Sequence, residues 1–117
     1  MPVMRRHLVV LLVIALAACG KQDAAETLKK SADSWSATLQ LVADARLHGD
    51  VRSGFALKTI EAAVEELSSE TAKPGLPRSM TVRAERIIGI AANLKTAMES
   101  DDRAGIAKSR HELADLR

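Results

Sequence analysis

Apolar residues recur every three or four positions through most of this 117-residue chain, and short breaker stretches divide the recurrence into four runs. Spacing of that kind puts the apolar side chains on one stripe of an α-helix. Leu28, Ala32, Trp35, Leu39, Val42 and Ala43 form the first stripe, within a predicted helix from Asp23 to His48 that Gly49 ends. Asp50 is placed to cap the next helix, whose stripe is Val51, Phe55, Ile60, Ala63, Val64 and Leu67, running to about Glu70. Thr71 to Pro77 is the longest run of breakers, and Pro77 suits the first turn of a third helix. That helix carries Val82, Ile87, Ile88, Ala91, Leu94 and Met98. A fourth begins near Ser100 to Asp102, where acidic residues complement the helix dipole, and turns Ile106, Arg110, Leu113 and Leu116 one way. Short connections make sequential helices neighbours, so the expected fold is all-α: an antiparallel four-helix bundle built of two helical hairpins.

The segment ahead of the bundle has a different character. Arg5 and Arg6 precede an uncharged stretch from Leu8 to Gly20, strongly apolar from Leu8 to Leu16, which is the layout of an export signal. As a helix this stretch would rise roughly 20 Å, short of the ~30 Å hydrocarbon core that a permanent span must cross. At its end stands Leu16-Ala17-Ala18-Cys19-Gly20. An aliphatic residue, two small residues and a cysteine in that order resemble the lipobox of bacterial lipoproteins. The resemblance implies that a lipoprotein signal peptidase recognises Leu16, Ala17 and Ala18 and cuts before Cys19, whose sulfur carries a diacylglyceryl group. It also implies an outer-membrane destination facing the periplasm, since Gly20 follows the cysteine rather than the Asp that retains such proteins in the inner membrane. Ordinary cleavage after Ala15-Leu16-Ala17 is the competing reading; it would leave a free thiol in an oxidising compartment. The expected organisation is a signal peptide over 1–18, a lipidated N-terminus and short tether over 19–23, and a helical domain over 24–117.

Composition excludes several function classes. Arg5 and Arg6 carry the whole formal charge of +2, because the remainder holds 15 Lys+Arg against 15 Asp+Glu. A near-neutral domain with scattered cations has no electrostatic case for nucleic acid. Trp35 and Phe55 are the only aromatic residues, too few for base stacking. One cysteine cannot form an internal disulfide.

No constellation of catalytic residues emerges either. His48 and His111 are the histidines beyond the signal, and each has an aspartate four residues away, Asp44 and Asp115. Such pairs offer two metal ligands apiece, but they are common on solvated helix faces, and the bundle sets the two histidines roughly 15 Å apart. Asp44, His48 and His111 are therefore candidate ligands without a completed set. The architecture resembles the small periplasmic four-helix cytochromes, and His111 falls near the place of their haem histidine. The first helix, however, offers neither Met nor His as second ligand, and no Cys-x-x-Cys-His motif is present. Glu61, Glu65, Glu66 and Glu70 fit a solvated face, with Lys58 placed for helical pairing with Glu61. No nucleophile elbow or Ser-x-x-Lys occurs, and no cofactor is expected.

A seven-residue echo links the two hairpins: Asp50-Val51-Arg52-Ser53-Gly54-Phe55-Ala56 reads against Asp101-Asp102-Arg103-Ala104-Gly105-Ile106-Ala107. Recurrent capping and packing needs explain it more simply than duplication of a hairpin. Tether and surface remain as the assets of this chain. The expected function is a non-catalytic interaction or accessory module, held on the membrane through lipid at Cys19 and touching an envelope protein. The alternative is a periplasmic bundle that binds a small ligand or metal.

Overall fold

The computed structural model describes residues 24–116; the signal segment, the lipobox residues Leu16, Ala17, Ala18 and Cys19, and the tether lie outside them. Four helices follow one another: α1 (Ala24–Leu47), α2 (Ser53–Thr71), α3 (Arg78–Glu99) and α4 (Arg103–Ala114). Each packs on its neighbour in sequence, α4 closes back on α1, and α1 meets α3 across the diagonal while α2 and α4 do not touch. This is the all-α four-helix bundle the spacing implies.

Small and large side chains alternate in the core. Ala56, Ile60, Ala63 and Leu67 of α2 are fully buried, as are Ala84, Ile87, Ala91 and Leu94 of α3. In both helices an alanine and a branched residue each recur every seventh position, so the seam between these antiparallel neighbours is lined by alternating bumps and hollows. Helix axes approach within about 8–10 Å according to the side chains between them, and alanine rows favour the near end. Leu28, Leu39, Ile106 and Leu113 fill the core from the other two helices.

The reversals at the two hairpin tips use one device. Asp50 N–H donates to the carbonyl of Ala45 (2.8 Å) and Gly49 N–H to that of Arg46 (3.1 Å), with Gly49 at φ +77°. This pair of bonds satisfies the last carbonyls of α1 and needs a left-handed residue, which glycine adopts without a Cβ penalty. At the end of α3 the same bonds run from Asp102 to Ala97 (2.8 Å) and from Asp101 to Met98 (3.3 Å), with Asp101 in the left-handed position at φ 52°. Asp102 also caps α4, its carboxylate accepting from Gly105 N–H at 3.0 Å. Asp50 has no such second role. α2 is preceded by Arg52, which makes no side-chain cap, so the N-cap expected of Asp50 is absent and the helix starts at Ser53.

The apolar stripe is corrected as well. The register of α2 puts Ala56 and Ile60 inside and leaves Phe55 62% exposed, and on α3 Val82 is 41% exposed. Pro77 precedes α3 rather than joining its first turn, and its carbonyl accepts from Met80 and Thr81. The echo between hairpins does not follow the structure. Gly49 matches Asp101 at the helix ends and Arg52 matches Asp102 at the helix starts, and neither spacing is the one that aligns the two sequences. Phe55 is exposed where its counterpart Ile106 is buried.

Gly105 is fixed by the cap. A Cβ there would meet the Asp102 carboxylate at 2.6 Å and the Ala97 methyl at 3.0 Å. Gly105→Ala is expected to displace the cap and destabilise the wild type by about 0.5–2 kcal/mol, the usual worth of an N-cap. In an Asp102→Ala background the cap is already gone and alanine is the better helix former, so the same change should cost much less. Thermal unfolding of the four chains in this cycle measures the difference.

Candidate functional site

The candidate metal ligands are drawn to other partners. The Asp44 carboxylate, half-buried on α1, is ion-paired with the Arg110 guanidinium of α4. His48 lies past the end of α1, and its Nδ1 is 2.7 Å from the backbone carbonyl of Asp44, not from the carboxylate. Exposed His111 is 3.4 Å from Asp115, the residue that caps the end of α4. Arg110 thus brings α4 against Asp44, yet it places a cation where a metal would need a free carboxylate. Among the described residues no three His, Cys, Asp or Glu side chains converge as a metal site would require.

Three of the four glutamates of α2 reach across to neighbouring helices. Glu66 Oε2 accepts from the Trp35 indole at 2.8 Å, and Glu70 Oε1 accepts from Ser31 at 3.0 Å, so both reach α1. Glu61 pairs across to Lys95 of α3 at 3.3 Å, not to Lys58 on its own helix. Trp35 is half-buried: its ring packs on the core while its N–H reaches the rim.

The feature that stands out is a consequence of helix length. α1 has 24 residues and α3 has 22, while α4 has 12. Because α4 starts at the tip shared with the ends of α1 and α3, it covers the groove between them only part of the way down. Its last carbonyls are collected where it stops: Leu113 accepts from Ser36 (3.4 Å) and Leu116 from Arg83 Nε (3.2 Å). Arg83 also pairs with Asp33 of α1 at 2.6 Å, forming a bar across the groove just below the end of α4. Above the bar lies a hollow of about 270 Å³ bounded by Gln40, Ser36 and Leu116. Below it, toward the start of α1, a mainly apolar groove of about 530 Å³ is lined by Leu28, Ala32 and Met80, with Lys29, Ser79 and Arg83 at its edges. That volume is in the range of sites that bury a ligand or an anchoring side chain.

None of these groove residues is singled out by motif reasoning. Leu28 and Ala32 belong to a normal core stripe and stay 1% and 2% exposed, and the hollow beside them takes its outline from how far a helix seventy residues later extends. The signal that was there is length: the fourth stripe, from Asp102 to Leu116, is about half as long as the first. Comparison with family models, with curated proteins and with solved structures returned no match.

Proposed function

We propose that this chain is an envelope lipoprotein, acylated on Cys19 by chains such as palmitate, whose helical bundle is a non-catalytic interaction module on the periplasmic face of the outer membrane. The observation that carries the reading is the coincidence of Arg5-Arg6, the apolar run and Leu16-Ala17-Ala18-Cys19 in the right order. The bundle adds to it. α1 begins at Ala24, five residues after Cys19, so the tether reaches at most about 17 Å. The end of the bundle with the start of α1 and the α2–α3 turn would then stand close to the membrane, with the two hairpin tips facing away. Among the described residues no helix is long and apolar enough to cross a membrane, so attachment of this bundle calls for another means, which the lipid supplies.

A partner that is met on the membrane should depend on the tether. Cells are cross-linked intact, and the protein is purified through a C-terminal tag, from wild type and from a strain in which an ordinary export signal replaces residues 1–18 and Cys19 is Ser. One envelope protein enriched from wild type and lost from the untethered strain is the expected result. Equal recovery from both strains would contradict a tether-dependent module.

A further inference from the structure

We propose that α4 is a releasable helix: it leaves α1 and α3 as a unit while α1, α2 and α3 stay folded, and rising ionic strength favours its release. The inference goes beyond the reading of the bundle as an interaction module and does not depend on the tether. Its first support is the make-up of the seam. α4 has 12 residues and buries two apolar side chains, Ile106 and Leu113, where α2 buries four and α3 seven. Hydrophobic stabilisation grows with the apolar area removed from water, so α4 is the helix held least by the core. Polar groups lie in its seam instead. Ser36 and Ser109 are the two buried polar residues among the described residues, and both belong there: Ser109 is on α4, and Ser36 of α1 donates to the Leu113 carbonyl.

The remaining ties are charged and reach solvent. Arg110 of α4 is ion-paired with Asp44 of α1, their side chains 43% and 37% exposed. Arg46 of α1 pairs at 3.3 Å with Asp101, in the turn that leads into α4, and the Asp101 side chain is 76% exposed. Arg103 donates to the Leu47 carbonyl at 2.6 Å, and Arg83 to the Leu116 carbonyl at 3.2 Å. Ion pairs open to water contribute little and are screened by salt. The seam of α2 with α3 also carries an exposed pair, Glu61 with Lys95, yet that seam is closed by the fully buried Ile60, Leu67, Ile87 and Leu94, apolar contacts that salt does not screen. Release pivots at Ser100 to Asp102, between the helices, and a free helix of 12 residues is marginal in water, so α4 unravels once off its seat. The seat on α1 runs from Ser36, at Leu113, to Leu47, at Arg103, with the wholly buried Leu39 and Ala43 between, and on α3 it takes in Ala97, whose methyl lies against Gly105. Release opens this apolar strip to water. In a module that works through its surface, salt then sets whether a polar or an apolar face is shown.

The test is hydrogen exchange, read peptide by peptide by mass spectrometry, on the whole mature chain made with Cys19→Ser behind an ordinary export signal. At about 0.02 M NaCl the amides of α4 should exchange roughly tenfold faster than those of Ile60 to Leu67 on α2 and Ile87 to Leu94 on α3. At about 1 M NaCl, where charges are screened beyond about 3 Å, the α4 rate should rise roughly threefold further relative to those two segments. Arg110→Gln should raise the α4 rate to a similar degree at low salt and shrink the response to salt, while Lys95→Gln, which removes the α2–α3 pair, should leave the α4 rate unchanged. One common rate for α2, α3 and α4 at low salt would make the bundle a single unit and overturn the proposal. So would an α4 rate indifferent to salt and to Arg110→Gln, or one raised as much by Lys95→Gln as by Arg110→Gln. The salt series on the bundle without either substitution needs no weakened variant to fold. Acylation of Cys19 has no part in the outcome: failure here leaves the tethered-module reading standing, and an unacylated Cys19 in cells leaves the exchange result standing.

Discussion

Leu94→Ala should lower the unfolding free energy by about 2–5 kcal/mol, the cost of deleting a buried leucine side chain and leaving a cavity. Leu94 is wholly buried on α3, which like α1 touches all three other helices. Domains of this size are stable by only about 5–15 kcal/mol, so the loss is a large fraction of the total. The alternating alanines strengthen the expectation, because their methyl groups cannot swing in to fill the space a leucine leaves. Leu41→Ala provides the contrast: Leu41 is 70% exposed, and its truncation should change stability by no more than about 0.5 kcal/mol. Urea unfolding followed through Trp35, the only tryptophan, reads both variants. Similar midpoints for the two would mean that the core is not where the bundle puts it.

The second large effect is on location. With residues 1–18 replaced by an ordinary export signal and Cys19 changed to Ser, the protein should leave the membrane pellet and appear in the soluble periplasmic fraction. Each methylene buried in a bilayer contributes about 0.8 kcal/mol, so one acyl chain holds a protein reversibly and two or more hold it stably. Losing them all leaves a bundle whose only large exposed apolar side chains among the described residues are Leu41, Phe55 and Val82, on three different helices. Scattered residues of that kind do not anchor a protein. Cys19→Ser alone is a poorer test. It removes the cleavage cysteine and so keeps the apolar signal segment, which can hold the precursor at the membrane without any lipid. Retention of the untethered chain in the pellet would show that something other than the lipid binds it there.

The four helices were legible because their core positions obey one period and their ends carry turn chemistry that stands alone. Gly49 stops α1 whatever surrounds it, and Asp102 caps α4 through a contact three residues away. Errors arose where a position depended on something farther off. Phe55 has stripe spacing from Val51, but it stands five residues before Ile60, roughly 140° round the helix from it, so the register that buries Ala56 and Ile60 turns Phe55 outward. Glu61 had a plausible partner in Lys58, and the fold supplied Lys95 from another helix instead. Asp44 and His48 have ligand spacing, yet the cation that occupies Asp44 comes from sixty-six residues along the chain. The groove was the least visible feature: the short fourth stripe hints at it, but its place depends on the relative heights of α1, α3 and α4, which stripe lengths alone do not fix.

One measurement bears most directly on the tethered-module account: the mass of the N-terminal peptide of the protein purified from membranes. The account predicts a peptide that begins at Cys19, with residues 1–18 removed and the cysteine heavier by a diacylglyceryl group, with or without a further acyl chain on its amine. A peptide that begins at Ala18, with Cys19 unmodified, would show ordinary cleavage after Ala17 and contradict the account at its root.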